Sequence, residues 1–433
     1  MPVAVIGGGY AGMAAAVALT DRSIPVTVYE AAKTLGGRAR RVEVNGIALD
    51  NGLHLLIGAY RETLALIDRV HGGRAPLVRR RLDWRIHRRF ALRAAALPAP
   101  FHVALGLLTA SGLNWPQRMA AIRLMRVLSR DGFRLAADTT VAALLERHRQ
   151  PPVLCDVLWH PLCVAALNTP PEQASAQVFA NVLREGLAAG RAASDLILAS
   201  TDLSALFPEP AADYICARDG RVLTDTPVTA IETCDSGFLV RTREKTETYA
   251  QVICATPPHR TVDLLAGLPA LAPVAACISR LQYQPIYSVY LQLAARLPLP
   301  APMIGLSGGM LQWVFDREAL CGQAGLVGAV ISAEGPHQGL PHETLVTRAV
   351  AELAEAFGPL PKLQWSQVIA EKRATFACTP GLERPTQVTP LPGLYLAGDY
   401  TESDYPATLE AAVRSGLTCA RLAAGAAEKR PAP

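Results

Sequence analysis

The stretch that decides the fold is residues 3–30, VAVIGGGYAGMAAAVALTDRSIPVTVYE. A short apolar run at 3–6 is followed by a glycine-rich turn, a helical pattern over 13–19 and a β-branched run at 26–29. This order predicts a strand, a turn, a helix and a second strand, which together make one βαβ unit. The turn reads Gly7-x-Gly9-x-x-Gly12, the spacing of a dinucleotide-binding fingerprint.

The three glycines of this turn suit the binding of a pyrophosphate. Gly7 permits a tight turn, Gly9 lets the backbone approach the pyrophosphate, and Gly12 permits close packing of helix on strand. The phosphates are expected at the helix N-terminus, where free N–H groups and the helix dipole favour anions. Glu30 lies 18 residues after Gly12, the place of a carboxylate that binds a ribose. An acid there repels a 2′-phosphate and disfavours NADP; a plain βαβ turn without a ligand is the alternative.

The composition excludes several classes of protein. Half of the 433 residues are hydrophobic and only 18% are charged, a balance that excludes intrinsic disorder. The nine cysteines include no C-x-x-C pair, which argues against a disulfide framework and against a metal site. The chain opens without a basic segment ahead of an apolar one, so we expect no signal peptide and a cytoplasmic protein.

The net charge of +5 is concentrated in one segment. Residues 74–93 contain eight arginines and one acid, and the mostly apolar stretch 101–113 follows soon after. That stretch is too short to span a bilayer. A basic segment beside an apolar helix is typical of proteins that lie on anionic membranes, so we expect peripheral attachment to the inner face of the cell membrane and no nucleic-acid partner. A solvated basic loop followed by a core helix is the alternative.

The end of the chain repeats the logic of its beginning, with a strand pattern at 394–397, the turn Gly398-Asp399 and a helical pattern at 408–423. Between the two ends lie helical patterns and then strand patterns, such as 228–232 and 286–293. We therefore predict one discontinuous nucleotide-binding domain with a second domain inserted. Its three parts are 1–75, 213–262 and 385–427; the inserted domain comprises a helical, membrane-facing part, 76–212, and a second part, 263–384, and a tail occupies 428–433.

A second phosphate-binding signal, Gly36-Gly37-Arg38, follows Glu30 closely. A plain NAD site does not require it, and an arginine suits bidentate contact with an anion. Glu30, this tripeptide and the first fingerprint together resemble the FAD motif of the amine oxidase and phytoene desaturase flavoprotein superfamily. LYLAGDY at 394–400 resembles the second FAD segment of that superfamily. The resemblance implies an α/β fold, with a Rossmann-like, discontinuous FAD-binding domain and an inserted α+β substrate domain.

The same resemblance assigns the residues that bind FAD. Asp399 binds the ribityl chain or the pyrophosphate, and the helix that begins near 406–410 directs its N-terminus at the flavin. The segment 226–228 resembles the strand that grips adenine. The predicted FAD-binding residues are Gly7, Gly9, Gly12, Glu30, Gly36, Gly37, Arg38, Val228, Gly398, Asp399, Thr408 and Leu409.

Two further stretches, DNGLHLLIGAYRET at 50–63 and EKRATF at 371–376, resemble the hydroxysqualene dehydroxylases of bacterial hopanoid pathways. Leu53 stands where those enzymes usually have glutamine. The resemblance implies that reduced FAD removes the hydroxyl of hydroxysqualene, a long isoprenoid, and yields squalene. A carotenoid desaturase, a flavin amine oxidase and a non-catalytic carrier of prenyl chains are the alternatives. No second fingerprint follows a strand, so a separate electron donor is expected.

Loss of an allylic hydroxyl needs an acid, and the candidates are His54 and Asp50. Histidine is the side chain most easily tuned near neutral pH. Glu402, Asp404 and Glu410 are further candidates near the C-terminal flavin segment. Asp50 as the anchor of a turn and His54 as a core histidine are the alternative interpretations.

Overall fold

The computed structural model describes residues 2–428, and its elements follow the predicted order of the first βαβ unit. Its strands, in chain order, are β1 Val3–Ile6, β2 Val26–Tyr29, β3 Arg41–Val44, β4 Ile47–Asp50, β5 Leu56–Ile57, β6 Leu77–Arg80, β7 Asp83–Ile86, β8 Phe90–Arg93, β9 Leu196–Ala199, β10 Arg221–Leu223, β11 Val228–Cys234, β12 Gly237–Thr242, β13 Thr246–Tyr249, β14 Gln251–Cys254, β15 Tyr283–Leu293, β16 Met303–Gly305, β17 Trp313–Asp316, β18 Leu326–Ser332, β19 Leu363–Phe376 and β20 Leu394–Leu396.

Helices predominate between residues 101 and 216, and others lie near both ends of the chain. The α-helices are α1 Tyr10–Thr20, α2 Arg61–Val70, α3 Phe101–Leu108, α4 Trp115–Arg130, α5 Val141–Arg147, α6 Pro152–Leu154, α7 His160–Leu167, α8 Ala176–Leu183, α9 Leu203–Leu206, α10 Pro208–Cys216, α11 Pro258–Leu265, α12 Ala272–Ser279, α13 Arg317–Cys321, α14 His342–Phe357 and α15 Leu409–Glu428. Two π-helical turns, Cys155–Trp159 and Arg184–Ala188, continue α6 and α8.

A parallel sheet of order β10-β2-β1-β14-β20 gathers strands from three distant parts of the chain. All its pairings are parallel, and β1 lies at the centre between β2 and β14. Helix α1 packs so tightly against α15 that a Cβ on Gly416 would lie 2.1 Å from the carbonyl oxygen of Ala11. The buried alanines of α1 make this approach possible because they add little bulk between the two backbones.

The larger sheet, of order β19-β15-β18-β17-β16-β7-β8, is mostly antiparallel. Helix α14 covers one face of it through Leu345, Ala349 and Leu353, which are spaced to form one apolar stripe. The other face turns toward α7, α8 and the first sheet. Smaller sheets comprise β5-β9-β6, the hairpin β3-β4 and the antiparallel ribbon β11-β12-β13.

This architecture confirms the predicted fold class, while the domain boundaries stay a prediction. Helices α9 and α10 pack on α1, so part of the segment assigned to the helical domain belongs spatially with the parallel sheet. Of the predicted tail, Glu428 ends α15 and residues 429–433 lie outside the described residues. Within residues 2–428, no helix combines the length and the apolar character needed to cross a bilayer.

Candidate functional site

One cavity of about 1070 Å³ lies between the parallel sheet and the larger sheet. The glycine turn after β1 and the turn after β20 both line it, so the two ends of the chain meet at one site. Its volume is at the upper end of the range for small-molecule sites, about 300–1,000 Å³. The cavity therefore has room for a large cofactor and part of a substrate.

The glycine turn has the close approaches that its sequence predicts. Gly7 has φ +115°, and a Cβ there would lie 2.5 Å from the carbonyl oxygen of Ala255. A Cβ on Gly12 would lie 1.9 Å from the carbonyl oxygen of Gly7, so only glycine fits at this position in the first turn of α1. Gly9 differs from both, because a Cβ there meets no protein atom within 3.7 Å and would project into the cavity. Gly7 and Gly12 thus serve the fold, and the space at Gly9 is left for a ligand.

Glu30 follows β2 at the edge of the cavity. Its carboxylate accepts hydrogen bonds from the N–H groups of Gly8, at 2.7 Å, and Ala32, at 2.8 Å. These two bonds hold the carboxylate beside the glycine turn, where a ribose hydroxyl can donate to it. The nearby segment 226–228 is tied to Glu30 through the bond from the Thr226 N–H to the Glu30 carbonyl, at 2.8 Å. Val228 itself is half-buried and does not line the cavity.

Arg38 joins the two predicted FAD segments directly. Its guanidinium donates to the Asp399 carboxylate at 2.5 Å and to the carbonyl of Ala374 at 2.6 Å. Burial disfavours the charged form of Arg38, but Asp399, together with Glu371 and Tyr283, opposes burial, and the pKa of Arg38 is raised. Gly36, Gly37 and Gly398 line the same part of the cavity. The arrangement can hold a pyrophosphate between a fixed cation and the N-terminus of α1.

The N-terminus of α15 also faces the cavity, which Thr408 and Leu409 line. The Thr408 hydroxyl accepts from the N–H of Ala411 at 3.2 Å and so caps the helix. The positive end of this 20-residue helix favours negative charge nearby. Such a charge develops on a reduced flavin ring, so the residues present fit FAD at both of its ends.

Glu410 is not available as an acid, contrary to one of our expectations. Its fully buried carboxylate accepts from the N–H groups of Glu62 and Thr63, from the Thr63 hydroxyl at 2.8 Å and from Arg414 at 2.8 Å. It therefore caps the N-terminus of α2 and ties that helix to α15. Glu402 does not line the cavity, whereas Asp404 does and pairs with Arg184 at 3.4 Å.

The two candidate acids near β4 occupy different places. His54 lines the cavity, and its Nδ1 lies 2.7 Å from the Gly52 carbonyl oxygen. Since a carbonyl only accepts, Nδ1 carries a proton and Nε2 is left to exchange one. Burial lowers the pKa of His54, an effect that the Gly52 carbonyl and Asp50 oppose.

Asp50, in contrast, does not line the cavity. It is buried, accepts from the N–H of Leu203 at 2.9 Å and pairs with Arg317 at 3.0 Å. Burial raises the pKa of Asp50, and Arg317 opposes this effect. The prediction of Asp50 as an acid needs correction, because its carboxylate is committed to these two partners and joins the hairpin β3-β4 to α13.

The far end of the cavity is apolar. Large side chains from the larger sheet, from helices, from β9 and from the residue before β7 wall it: Leu82, Trp84, Leu162, Leu183, Leu187, Leu196, Ile286, Met303, Trp313, Phe315 and Val330. Trp84 and Trp313 meet edge to face, with ring centroids 4.7 Å apart. A ligand here must be largely hydrocarbon, since the walls offer few hydrogen-bonding partners.

Sequence reasoning missed several cavity residues that carry titratable groups, among them Glu371 and His259. Glu371 accepts a hydrogen bond from Asn51 at 3.4 Å and from the N–H of Arg373 at 3.2 Å. His259 also lines the cavity, and its buried Nδ1 has no hydrogen-bond partner among the described residues. Glu371 lies in a stretch that we noted only for its resemblance, and His259 follows Pro257-Pro258 with no pattern around it.

Comparison with known proteins agrees with this geometry. The family model of flavin-containing amine oxidoreductases matches residues 10–424. The chain belongs to this family. The match, together with the site residues that fit FAD, identifies the protein as an FAD-dependent oxidoreductase and confirms the predicted cofactor.

Relatives within the family are similar over nearly the whole chain. A hydroxysqualene dehydroxylase of Rhodopseudomonas palustris is 31% identical, with 97% of each chain covered. Another, from Zymomonas mobilis, is 29% identical over 97% of this chain and 98% of its own length. Among solved structures, cyclohexylamine oxidase from Brevibacterium oxydans has a TM-score of 0.72 at 17% identity, with 99% of each chain covered, which shows the shared fold.

Proposed function

We propose that this protein removes the hydroxyl group of hydroxysqualene reductively and releases squalene, as part of hopanoid biosynthesis. The observation that carries the proposal is one cavity that has both an end lined by the predicted FAD-binding turns and an end walled by hydrocarbon side chains. The relatives named for this reaction support the choice of substrate within the isoprenoids.

Bound in its reduced form, FAD supplies a hydride. The chain supplies the rest: a proton for the departing oxygen, a fixed position for the hydroxyl-bearing carbon and a dry environment. The carbon–oxygen bond breaks as the oxygen takes the proton and leaves as water, and the hydride replaces it on carbon. We assign the proton to His54, which lines the cavity and whose Nε2 has no hydrogen-bond partner within residues 2–428.

The proposal is tested by single turnover without oxygen. The FAD-loaded protein is reduced with dithionite, mixed with hydroxysqualene, and the products are analysed by gas chromatography with mass spectrometry. Squalene formed in proportion to FAD is expected. A parallel reaction of the oxidised protein with phytoene tests the desaturase alternative; desaturated product there, with no squalene in the first reaction, would reject the proposal. A dithionite-reduced sample also bypasses the separate electron donor that we propose for the cell.

We propose in addition that the protein attaches to the surface of an anionic membrane. Helix α3 exposes Phe101 and Leu105, with 63% and 40% of their surfaces accessible, and Trp115 exposes 61% at the start of α4. The helix packs on the end of β8, since a Cβ on Gly106 would lie 2.7 Å from the Arg93 carbonyl oxygen. Exposed apolar side chains therefore lie beside the arginine segment, the combination that membrane surfaces attract.

Liposome sedimentation tests this attachment. Replacing Arg79, Arg80 and Arg81 by alanine is expected to lower binding to phosphatidylglycerol vesicles at low salt, because each arginine near such a surface contributes about 1 kcal/mol. Arg79 pairs with Asp195 at 3.1 Å, so we expect Arg80 and Arg81 to account for most of the loss. Equal binding of the triple variant and the parent protein would remove the membrane proposal.

A further inference from the structure

A second cavity, of about 590 Å³, adjoins the cavity described above. We call the second one the arginine cavity and the first one the flavin cavity. Its charged wall consists of Arg80, Arg81, Arg85, Arg93 and one acid, Asp83, which gives a formal net charge of +3. The rest of its lining is apolar, from β9 and from the loop 300–303. The flavin reaction described above uses none of these groups.

The strands fix two of the arginines in place. Asp83 and Arg93 stand opposite each other in the hairpin β7-β8. Arg85 lies on the same face of β7 as Asp83 because side chains alternate along a strand. The Asp83 carboxylate accepts two bonds from Arg85, both of 2.8 Å, and lies 3.7 Å from Arg93. These two guanidinium groups are therefore held near each other before any ligand arrives.

Arg80 and Arg81 differ from that pair. Both are exposed, and neither forms an ion pair with any residue in the range 2–428 that the structure describes. Four guanidinium groups around one cavity, only partly neutralised, are what a phosphate or diphosphate group requires, because arginine binds phosphate oxygens in a bidentate manner.

The two cavities share part of their walls. Leu196 and Met303 line both of them, so the arginine cavity and the flavin cavity approach each other at these two side chains. Arg80 lies opposite Leu196 in the pairing of β6 with β9, which puts its side chain on the same face. Strand β7 also lies between the two cavities, since Asp83 and Arg85 line the arginine cavity and Trp84, on the opposite face of the strand, lines the flavin cavity.

We propose that the arginine cavity binds the phosphate head of an amphiphile whose hydrocarbon chain passes Leu196 and Met303 into the apolar end of the flavin cavity. The head group is bound by Arg80 and Arg81 together with the pre-positioned Arg85 and Arg93. A prenyl diphosphate in solution and a phospholipid in a bilayer share this chemistry. The inference concerns binding and does not depend on which substrate the flavin reduces.

Isothermal titration of the FAD-loaded protein tests the head-group site, with inorganic diphosphate and geranyl diphosphate as probes. We expect geranyl diphosphate to bind about tenfold or more tightly than diphosphate, because its chain leaves water. The double variant R80A/R81A is expected to weaken both by about tenfold or more. The control R123A/R126A removes the same charge from the exposed face of α4 and is expected to change neither.

The shared wall is tested with Leu196→Trp, and Leu196→Met serves as the volume-matched control. The indole ring of the tryptophan variant is expected to reduce the affinity for geranyl diphosphate to the level of inorganic diphosphate. The affinity for inorganic diphosphate is expected to stay unchanged. The FAD absorbance and the melting temperature of each variant establish that it is folded. A second variant, Met303→Trp, repeats the test from the other side of the wall.

A third arm distinguishes the two sources of the phosphate. If geranyl diphosphate does not bind, and both R80A/R81A and Leu196→Trp lose binding to phosphatidylglycerol vesicles that R123A/R126A and Leu196→Met retain, the phosphate comes from a bilayer lipid. Binding of soluble geranyl diphosphate without vesicles assigns it to a prenyl diphosphate. The proposal is overturned if neither probe nor vesicle distinguishes the two double variants. Because all readouts are binding, failure here is separate from failure to form squalene.

Discussion

The two ends of the flavin cavity are built by different means. The cofactor end consists of backbone turns that only glycine permits, together with a few charged side chains close to them in sequence. The apolar end consists of side chains from β7, β9, β15, β16, β17 and β18 and from two helices, residues that are up to about 250 positions apart. Each turn of the cofactor end is a short local pattern, and the fold brings a few such turns together, whereas the apolar end is assembled from single side chains scattered along the chain.

This difference determines how each end tolerates change. At the cofactor end a single Cβ collides with backbone atoms at Gly7 and Gly12, and backbone cannot yield cheaply. At the apolar end the requirement is hydrocarbon of suitable volume, which several residue types satisfy. Substitutions of these glycines at the first end should act as all or nothing, and substitutions of the apolar side chains at the second end should act by degrees.

The largest expected effect separates two glycines within the cofactor end. Gly9→Val should give a folded protein that binds no FAD, because its side chain enters the space left for the ligand while meeting no protein atom closely. Gly12→Val should fail to fold, because its Cβ would lie 1.9 Å from the Gly7 carbonyl oxygen. The measurements are the ratio of FAD to protein from absorbance and the melting temperature of each apoprotein.

If the Gly9 variant retains FAD at the stoichiometry of the parent protein, Gly9 does not border the space for the cofactor. If the Gly12 variant purifies folded with a normal melting temperature, Gly12 is not required by the fold. Gly46→Val is a suitable control for the general cost of losing a glycine, since a Cβ at Gly46 meets nothing within 4 Å and its strain comes only from φ +75°.

The next effect concerns the turn that contacts both ends. Asn51 donates to the Arg38 carbonyl at 3.1 Å, while Leu53 lies close to Gly328 of the larger sheet, and His54 follows them. If His54 donates the proton, His54→Phe should lower the turnover of reduced enzyme by about 100-fold, the usual contribution of a general acid. FAD binding should be unchanged. Single-turnover rates of squalene formation provide the measurement.

The pH dependence of turnover is a second test of His54 as the proton donor. An acid must be protonated to act, so turnover should fall as pH rises through the pKa of His54. Burial lowers that pKa below the ordinary value of histidine, about 6.5, so the fall should be centred on the acid side of this value. A profile that keeps the same midpoint in His54→Phe would move the role to another cavity residue, such as Glu371.

These effects also show how much the sequence predicted. The turn at 7–12, Glu30, the turn at 36–38 and the turn at 398–399 all line one cavity, and each turn was recognisable as a short pattern whose glycines have a geometric reason; their contacts with FAD stay a prediction. Asp50 and Glu410 were misjudged, because their partners, Arg317 and Thr63, lie 267 and 347 residues away. No local pattern reveals such pairings, nor that Trp84 and Asp83 line different cavities.

A smaller effect is expected where the two cofactor segments are joined. Arg38→Ala removes the bond to Asp399 and the bond to Ala374, and leaves a buried carboxylate without its cation. Charge-assisted hydrogen bonds contribute about 1.5–3 kcal/mol, so FAD affinity should fall by about 10- to 100-fold. Fluorescence titration of the apoprotein with FAD measures this. The neighbouring Arg40 is half-buried and lines the same cavity, but its one side-chain hydrogen bond to a described residue, to the Gly37 carbonyl at 3.1 Å, joins no second FAD segment, so Arg40→Ala should lower FAD affinity less than Arg38→Ala does.

The smallest effect tests whether the apolar end does act by degrees. Val330 is buried on β18 and lines the cavity, so Val330→Trp should fill part of the hydrocarbon space without reaching the cofactor turns. We expect FAD binding as in the parent protein. Overpacking should lower the free energy of unfolding by about 1–3 kcal/mol. The KM for hydroxysqualene should rise about fivefold, with a smaller change in kcat. Val330→Ile adds one methylene and should change the KM by less than half as much on a logarithmic scale. If instead the tryptophan variant loses FAD altogether, the two ends are not independent, and the cofactor end depends on the packing of the larger sheet as much as on its own glycines.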